Sequence, residues 1–333
     1  MTDLMREPMS PERFMETARR LETELGKVIV GQNELLRDTL LAMFAGGHVL
    51  IEGVPGLGKT ALVRTVAGSL SLQFSRVQFT PDLMPADIVG TNIIQEQDGG
   101  RRPVYQQGPI FANLVLADEI NRATPKTQSA LLEAMQEHHV TVGTETRALP
   151  EPFFVLATQN PIELEGTYPL PEAQLDRFLF KILVPFPPES DLVEIARRTT
   201  GEAGAEPTPI AGAAEVAAMI TLARQVPVAD HVLEYAARVV ASTHPGRSKS
   251  ESVRRYVRFG ASPRGMQAMV LAAKVRALMD GRYNVAFDDL KAVAIPALRH
   301  RVLLNFEAEA AGIDADAVVG EIVEMLVTDP AAA

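Results

Sequence analysis

The chain has 333 residues, of which 32 are basic and 42 acidic, so its net charge is -10, and 47% of the residues are hydrophobic. Its length and composition are typical of a globular protein with one large domain or two smaller ones, and the acidic balance argues against a nucleic-acid coat. The chain contains no cysteine, which excludes disulfides and thiolate metal sites. No apolar run has the length of a membrane helix and the N-terminus lacks the apolar core of a signal peptide, so we expect a cytoplasmic protein with no membrane segment.

Two helices and a short strand are predicted at the start of the chain. Residues 11–24 place apolar side chains on one side of a charged helix, and residues 33–44 form a second helix that two glycines terminate. The apolar run at 48–52 predicts a buried strand, and apolar residues recur at helical spacing over 62–70. The stretch between that strand and that helix is therefore a loop.

This loop, residues 53–60, fits the phosphate-binding pattern G-x-x-x-x-G-K-[ST]. Its glycines let the backbone wrap closely, so that N–H groups point at phosphate oxygens with a helix N-terminus behind them. Lys59 supplies a positive charge for the β- and γ-phosphates, and the Thr60 hydroxyl is a ligand for Mg²⁺. Strand, loop and helix follow in the order that the motif requires, which predicts binding of ATP with Mg²⁺. The residues predicted to contact the nucleotide here are Gly53, Pro55, Gly56, Leu57, Gly58, Lys59, Thr60 and Ala61.

Two carboxylates follow the next strong strand signal, the apolar run at 114–117. Asp118 and Glu119 come at the carboxyl end of this strand, where ligands gather in parallel sheets. Phosphoryl transfer needs positioned charge and an oriented nucleophile. Asp118 is therefore placed to hold Mg²⁺, directly or through water, and Glu119 is the candidate base that polarises the attacking water. A base beside the metal-binding Asp favours hydrolysis over transfer to a second substrate.

Three further polar residues are candidates for contact with the transferred phosphate. Asn160 follows the strand predicted at 153–157 and can bond both γ-phosphate and water, although a simple Asn-Pro turn gives the same sequence. Arg177 is either an arginine finger or the ion-pair partner of a nearby acid. Arg264 is expected in the first turn of a helix, where a cation opposes the helix dipole unless an anion meets it. That position favours a functional role for Arg264.

The order of the predicted elements indicates an α/β domain followed by a helical one. Strands at 74–79 and 180–184 complete a parallel sheet, and hairpins are predicted at 93–105 and 139–149. Prolines then close this first domain, which we place at residues 1–188. Residues 189–333 show helical periodicity and no strand, which predicts a helical bundle. Its predicted helices are 192–199, 213–226, 231–242, 263–279, 287–302 and 315–327.

A long run at 160–178 makes the chain resemble the MoxR family of AAA+ ATPases. The run is NPIELEGTYPLPEAQLDRF, and the segment ASPR at 261–264 matches the sensor 2 segment of the same family. The resemblance covers nearly the whole chain. It implies the AAA+ fold, an α/β P-loop αβα sandwich with a parallel five-stranded sheet, followed by an α-helical lid domain.

The resemblance also implies roles that spacing does not show. Asn160 would be sensor 1, Arg264 would be sensor 2, and Arg177 would be the arginine finger that reaches the nucleotide of a neighbouring subunit. Gly31 and Gln32 would lie near the adenine, and the two hairpins would line the pore of a ring, usually a hexamer. Such rings act as chaperone-like remodellers in metalloenzyme maturation or complex assembly. The resemblance therefore implies a protein client and a von Willebrand factor A domain partner.

Two other functions are open from the sequence. A nucleic-acid motor is one, because Arg101 and Arg102 lie at the tip of the first hairpin. A nucleotide-switched binding module with little turnover is the other, although an intact catalytic set argues against it. The basic run at 254–258 is expected to form a solvated helix face or a subunit contact rather than a nucleic-acid site.

Overall fold

The computed structural model describes residues 8–54, 56–97, 100–161, 166–200 and 207–328. A parallel sheet is the centre of the first half of the chain. Its helices and strands, with two hairpins that project from the sheet region, are α1 (Pro11–Val28), α2 (Asn33–Phe44), β1 (Val49–Glu52), α3 (Lys59–Ser69), β2 (Phe74–Gln78), α4 (Pro85–Val89), β3 (Gly90–Gln97), β4 (Gly100–Gln107), β5 (Leu114–Asp118), α5 (Pro125–Glu137), β6 (His139–Val142), β7 (Glu145–Ala148), β8 (Phe154–Gln159), α6 (Glu172–Leu175) and β9 (Phe180–Leu183).

The second half of the chain is mainly helical. Its elements are α7 (Glu189–Thr199), α8 (Ala213–Gln225), α9 (Asp230–Ser242), α10 (Glu251–Tyr256), β10 (Val257–Phe259), α11 (Pro263–Met279), α12 (Phe287–Leu298), β11 (Leu303–Leu304), α13 (Phe306–Ala311) and α14 (Ala315–Thr328). We refer to α8–α14 with their two short strands as the lid.

Five strands form one parallel sheet in the order β2-β5-β8-β1-β9. Register pairs Gln78 with Asp118 and Glu52 with Gln159, so the carboxyl ends of these strands meet at one edge. The predicted AAA+ fold, a five-stranded parallel sheet between helices with a helical lid, is confirmed. The hairpins predicted at 93–105 and 139–149 are also confirmed, as β3–β4 and β6–β7.

Alternation along the central strands builds two apolar layers. Leu114 and Leu116 of β5 face a cluster with α1, α2 and α3, whereas Val115 and Ala117 face a second cluster with α5. Successive side chains of a strand point to opposite faces, and here both faces are covered by helices. Both faces of β5 are therefore buried, which explains why its sequence is a continuous apolar run.

The first of these clusters does not end at the sheet. It continues without a break through α1 and α2 into buried residues of α8, α9, α11, α12 and α14. The amphipathic helix α1 packs against both α3 and α11. The division of the chain at residue 188 stays a proposal, and one shared apolar cluster extends across it.

The structure corrects two details of the sequence analysis. The lid is not free of strands, because β10 and β11 pair antiparallel, with Val257 opposite Leu304. Strands of two or three residues are too short to show alternation, so the prediction of an all-helical second half was wrong on this point. The helix predicted at 287–302 ends at Leu298 and the chain then turns into β11, whereas the helix predicted at 11–24 continues to Val28.

Some predicted features fall outside the described residues. Residues 98–99 at the tip of the first hairpin and residues 162–165 of the MoxR-like run are among them. Within the part of the chain that the structure describes, no helix has the length and hydropathy needed to cross a membrane.

A buried histidine joins strand β8 to helix α5 at the start of the sheet. The Val155 N–H donates to His48 Nδ1 at 3.0 Å, so Nε2 carries the proton and donates to the Met135 carbonyl at 3.0 Å. Burial lowers the pKa of His48 to about 4, and the His138 charge acts in the same direction. His48 therefore stays neutral in the folded protein at pH values where a free imidazole is protonated.

We expect His48 to make the free energy of unfolding depend on pH. Its pKa is lower folded than unfolded, so its contribution is complete above the unfolded pKa of about 6.5 and is lost as pH falls toward the folded pKa, by about 2 kcal/mol at pH 5. A His48→Gln variant is expected to be less stable at pH 7.5 but to lose less further stability on acidification. Denaturant unfolding of both proteins at pH 7.5 and pH 5 measures the difference.

Comparing the two proteins removes the contribution of other titrating groups. Asp38 is one, because burial and the Glu34 charge raise its pKa to about 6, which favours the folded state as pH falls. Equal loss of stability in both proteins between the two pH values would contradict the assignment to His48.

Candidate nucleotide-binding site

The predicted phosphate loop forms the turn between β1 and α3. Gly56 and Gly58 have φ values of 85° and 76°, in the left-handed region that favours glycine. Gly53 lies close to another strand end: a Cβ there would lie 3.1 Å from the Val184 carbonyl oxygen, which is closer than ordinary van der Waals contact. The first turn of α3 has neither an acidic side chain nor a capping side chain, so its N–H groups are available to an anion. Pro55 lies outside the described residues.

A cavity of about 240 Å³ opens at the edge of the sheet beside this loop. It brings together most of the residues that the sequence predicted, although their roles stay predictions. Its lining consists of Gly56, Leu57, Gly58, Lys59, Thr60, Arg76, Asp118, Glu119, Thr158 and Asn160. The site is assembled by strand ends, because β5 contributes Asp118 and leads to Glu119, and β8 contributes Thr158 and leads to Asn160.

Lys59 lies folded over the loop, with its Nζ donating to the Gly53 carbonyl oxygen. Partial burial lowers the pKa of Lys59, and the charges of Asp118, Glu119 and Glu52 oppose that shift. Three carboxylates around one ammonium favour its charged form, which is the form that binds phosphate oxygens.

Both oxygens of Asp118 are engaged. Oδ1 accepts a hydrogen bond from the Thr158 hydroxyl at 2.6 Å, and Oδ2 accepts from Arg76 Nη2 at 2.7 Å. Asp118 and the Thr60 hydroxyl line the same cavity, and oxygen ligands of this kind suit Mg²⁺. The donor set therefore fits the predicted metal.

Glu119 is held in an unusual conformation by its neighbours. Its φ of 57° is rare for a residue with a side chain, and its N–H donates to the Thr158 hydroxyl at 2.9 Å. Its carboxylate accepts from Gln78 Nε2 at 2.7 Å and pairs with Arg122 at 3.1 Å. The Thr158 hydroxyl therefore bonds both residues: it accepts from the backbone N–H of Glu119 and donates to the carboxylate of Asp118.

The sequence analysis missed Arg122, which follows Glu119 by three residues, and three further residues of this network. Arg76 and Gln78 belong to β2, and Thr158 belongs to β8, so they lie far from the carboxylates along the chain. Only the order of the strands brings them together, since β5 pairs with β2 on one side and β8 on the other. The sequence contains one signal for Arg76, because it is a charged residue within a strand that alternates apolar and polar side chains.

The segment before α2 adjoins the phosphate loop. Gln32 Nε2 donates to the Leu57 carbonyl oxygen at 3.2 Å. Gly31 has a φ of 71°, in the left-handed region that favours glycine, and Asp191 Oδ2 lies 1.8 Å from where a Cβ would be. The place of Gly31 and Gln32 near the adenine stays a prediction. Ala61 is exposed in the first turn of α3.

The structure places Arg177 and Arg264 elsewhere. They line a second cavity of about 270 Å³ together with Asp176 and Arg301, and they do not line the cavity of the phosphate loop. Arg177 Nε is buried and has no hydrogen-bond partner among the described residues. Arg264 is exposed in the first turn of α11, where its helix offers no acidic partner. Both cations therefore face a site without the phosphate loop of their own chain.

Known proteins resemble the chain over nearly its full length. It is 43% identical to Chaperone MoxR1 of Mycobacterium tuberculosis over 93% of this chain and 82% of that protein. The chain belongs to the MoxR family of AAA+ ATPases. Protein MoxR of Methylorubrum extorquens is 34% identical over 88% of this chain and 89% of the relative.

Domain and structure comparisons agree with the MoxR assignment. Residues 48–180 match the ATPase family associated with various cellular activities (AAA), and residues 249–322 match the AAA lid domain. A solved crystal structure of a candidate ATPase from Cytophaga hutchinsonii superposes with a TM-score of 0.87 at 39% identity, covering 94% of this chain and 95% of that one.

In this MoxR-family site we expect Glu119→Gln to separate binding from hydrolysis. The amide keeps the size of the side chain but cannot accept the proton of the attacking water, so kcat for ATP hydrolysis should fall by about 100-fold or more. ATP affinity should change by less than about twofold, because Lys59 and the loop amides are untouched. Phosphate release and calorimetric titration with ATP measure the two quantities.

A matched control is Glu215→Gln. Glu215 of α8 pairs with Arg13 at 2.9 Å and lines neither cavity. Its variant is expected to retain turnover. Wild-type turnover in Glu119→Gln would remove Glu119 from the role of base.

Proposed function

We propose that this MoxR-family chain hydrolyses ATP in a ring, with each nucleotide site completed by arginines from the adjacent subunit. The observation that supports it is the separation of the two cavities. One contains the phosphate loop with Asp118 and Glu119, and the other contains Arg177 and Arg264. Arginines that do not line the nucleotide cavity of their own chain are available to contact the nucleotide of an adjacent subunit.

The chemistry assigned to this chain follows from its side chains. Lys59 and the amides at the start of α3 bind the β- and γ-phosphates, and Glu119 accepts the proton of the attacking water. Asn160 orients that water, and the arginines from the next subunit neutralise charge on the γ-phosphate. Mg²⁺, held by Thr60 and Asp118, supplies charge neutralisation at the phosphates when bound.

We propose that the free energy of ATP hydrolysis drives chaperone-like remodelling of a protein client. The relative from Mycobacterium tuberculosis is named a chaperone, and the acidic net charge of -10 favours a protein over a nucleic acid as the client. A hexameric ring, a von Willebrand factor A domain partner, and a role in complex assembly or metalloenzyme maturation belong to the same proposal. These proposals rest on the family resemblance. The proposed cytoplasmic location rests on the composition.

Mixed assemblies test whether the arginines act between subunits. Arg177→Ala and Lys59→Ala are each expected to be inactive, because the first lacks a transition-state cation and the second lacks the phosphate-binding ammonium. Mixed rings contain interfaces at which an intact loop meets intact arginines, so turnover should reappear on mixing. Phosphate release of the mixture, with co-assembly verified by light scattering, measures this.

A second mixture is the control for Arg264. If Arg264 acts in trans beside Arg177, then Arg177→Ala mixed with Arg264→Ala stays inactive, because each interface lacks one arginine. Recovery in this second mixture would assign Arg264 to its own chain's nucleotide. Absence of recovery in the first mixture, despite co-assembly, would contradict action between subunits.

The remodelling role predicts a trapped client. Glu119→Gln should hold ATP without hydrolysing it, so a client bound in the ATP state is not released. Quantitative pull-down with this variant is expected to enrich one client in the presence of ATP, and Lys59→Ala, which cannot load ATP, is the control. Equal recovery by the two variants would count against an ATP-gated client.

A further inference from the structure

One buried arginine of the lid joins it to the segment that presents Arg177. Arg301 follows α12 and only 3% of its side chain is exposed. Its Nε donates to Asp176 Oδ1 at 2.7 Å, and its Nη2 donates to the carbonyl oxygens of Asp176 at 3.0 Å and Phe178 at 2.7 Å. The residues on both sides of Arg177 are therefore bonded to the same guanidinium.

All five N–H donors of this guanidinium are used. Nη1 donates to the Leu179 carbonyl oxygen at 3.1 Å and to the Ala297 carbonyl oxygen of α12. Four of the five bonds thus go to the core segment 176–179. A guanidinium has five donors in a fixed planar arrangement, so full use of them sets the backbone around Arg177 in one geometry.

The Asp176 carboxylate extends this arrangement to Arg264. Its two oxygens accept from the Ser262 hydroxyl at 3.1 and 2.9 Å. Ser262 is the N-cap of α11, and its hydroxyl oxygen accepts in turn from the Arg264 N–H at 3.1 Å. One hydroxyl and one carboxylate therefore connect the backbones of the two arginines, which come from the core and the lid.

We propose that Arg301, Asp176 and Ser262 are positioning residues that hold Arg177 and Arg264 as a preformed pair for the phosphate of an adjacent subunit. This inference rests on the proposed function. Arg177, Arg264 and Arg301 line one cavity and repel one another, and the Asp176 carboxylate that pairs with Arg301 offsets part of that repulsion. Fixing both before ATP arrives removes reorganisation at the moment of phosphoryl transfer.

Other contacts keep the lid in place when this connection is cut. Arg299 bonds Asp316 at 2.6 Å and the Lys181 carbonyl at 3.4 Å, and His300 bonds the Phe178 carbonyl at 3.1 Å. The apolar cluster shared by the sheet and the lid is unaffected by a change at Ser262. A positioning role can therefore be separated from a role in docking the lid.

The chain offers a matched pair of serines for the test. Ser250 is also a helix N-cap, accepts from the Val253 N–H at 3.0 Å and donates to Glu321 at 2.7 Å. Glu321, unlike Asp176, does not line the cavity that contains Arg177 and Arg264. Ser262→Ala and Ser250→Ala each lose one helix N-cap and one hydrogen bond to a carboxylate. We expect Ser262→Ala to lower kcat about tenfold with half-saturating ATP unchanged, and Ser250→Ala to stay within about twofold of wild type.

A second pair tests the arginine. Lysine keeps the charge of Arg301 but cannot make five fixed bonds, so Arg301→Lys should lower kcat at least as much as Ser262→Ala. Arg299→Lys, a lid arginine that also bonds a core carbonyl, is the control and should retain turnover. Thermal unfolding of each pair verifies that the proteins are folded.

Mixing separates positioning from general damage. Lys59→Ala supplies intact arginines, so it should restore turnover to Ser262→Ala and to Arg301→Lys, whereas Arg177→Ala should not. Wild-type kcat in both variants, or loss that Lys59→Ala does not restore, would overturn the positioning role. If wild type has no ATPase activity, or Arg177→Ala mixed with Lys59→Ala shows no recovery, the proposed function itself fails.

Discussion

The parallel register of five strands is the constraint on which the site depends. Because β1, β5 and β8 run in the same direction, the phosphate loop, the two carboxylates and Asn160 emerge at one edge. Residues of the two neighbouring strands hold both carboxylates in place. Thr158 from β8 bonds Asp118 and the Glu119 N–H, and Gln78 from β2 bonds the Glu119 carboxylate. A change in strand order would separate these groups while leaving every motif of the sequence intact.

The lid is docked by apolar burial and aligned by hydrogen bonds. Burying one leucine contributes about 2 kcal/mol, whereas one hydrogen bond contributes about 1 kcal/mol net. The cluster that extends from the sheet into α11 and α12 contains many such side chains, so it decides whether the lid is attached. The bonds around Asp176 are few and directional, and they decide where the arginines point. Burial lowers the pKa of Arg301, and the Asp176 carboxylate opposes that shift, which keeps the connection ionic.

Sequence reasoning was sufficient where the chemistry is contiguous. The loop at 53–60 and the pair Asp118–Glu119 each lie within a single short segment, so pattern and spacing located them. Short apolar strands that alternate with helices indicated the fold. It was insufficient where contacts depend on topology. Thr158 and Gln78 required the strand order, and the bond between Arg301 and Asp176 joins residues 125 apart along the chain. The short strands β10 and β11 escaped because two or three residues carry no periodicity.

The ion pair between Arg76 and Asp118 bears on which ligands the cavity favours. Arg76 Nη2 lies 2.7 Å from Asp118 Oδ2, and Arg76 lines the cavity together with Lys59. A Mg²⁺ ion held by Asp118 would share this carboxylate with the guanidinium, so three cationic groups would surround a bound ligand. A ligand that carries several negative charges is therefore favoured over a neutral one.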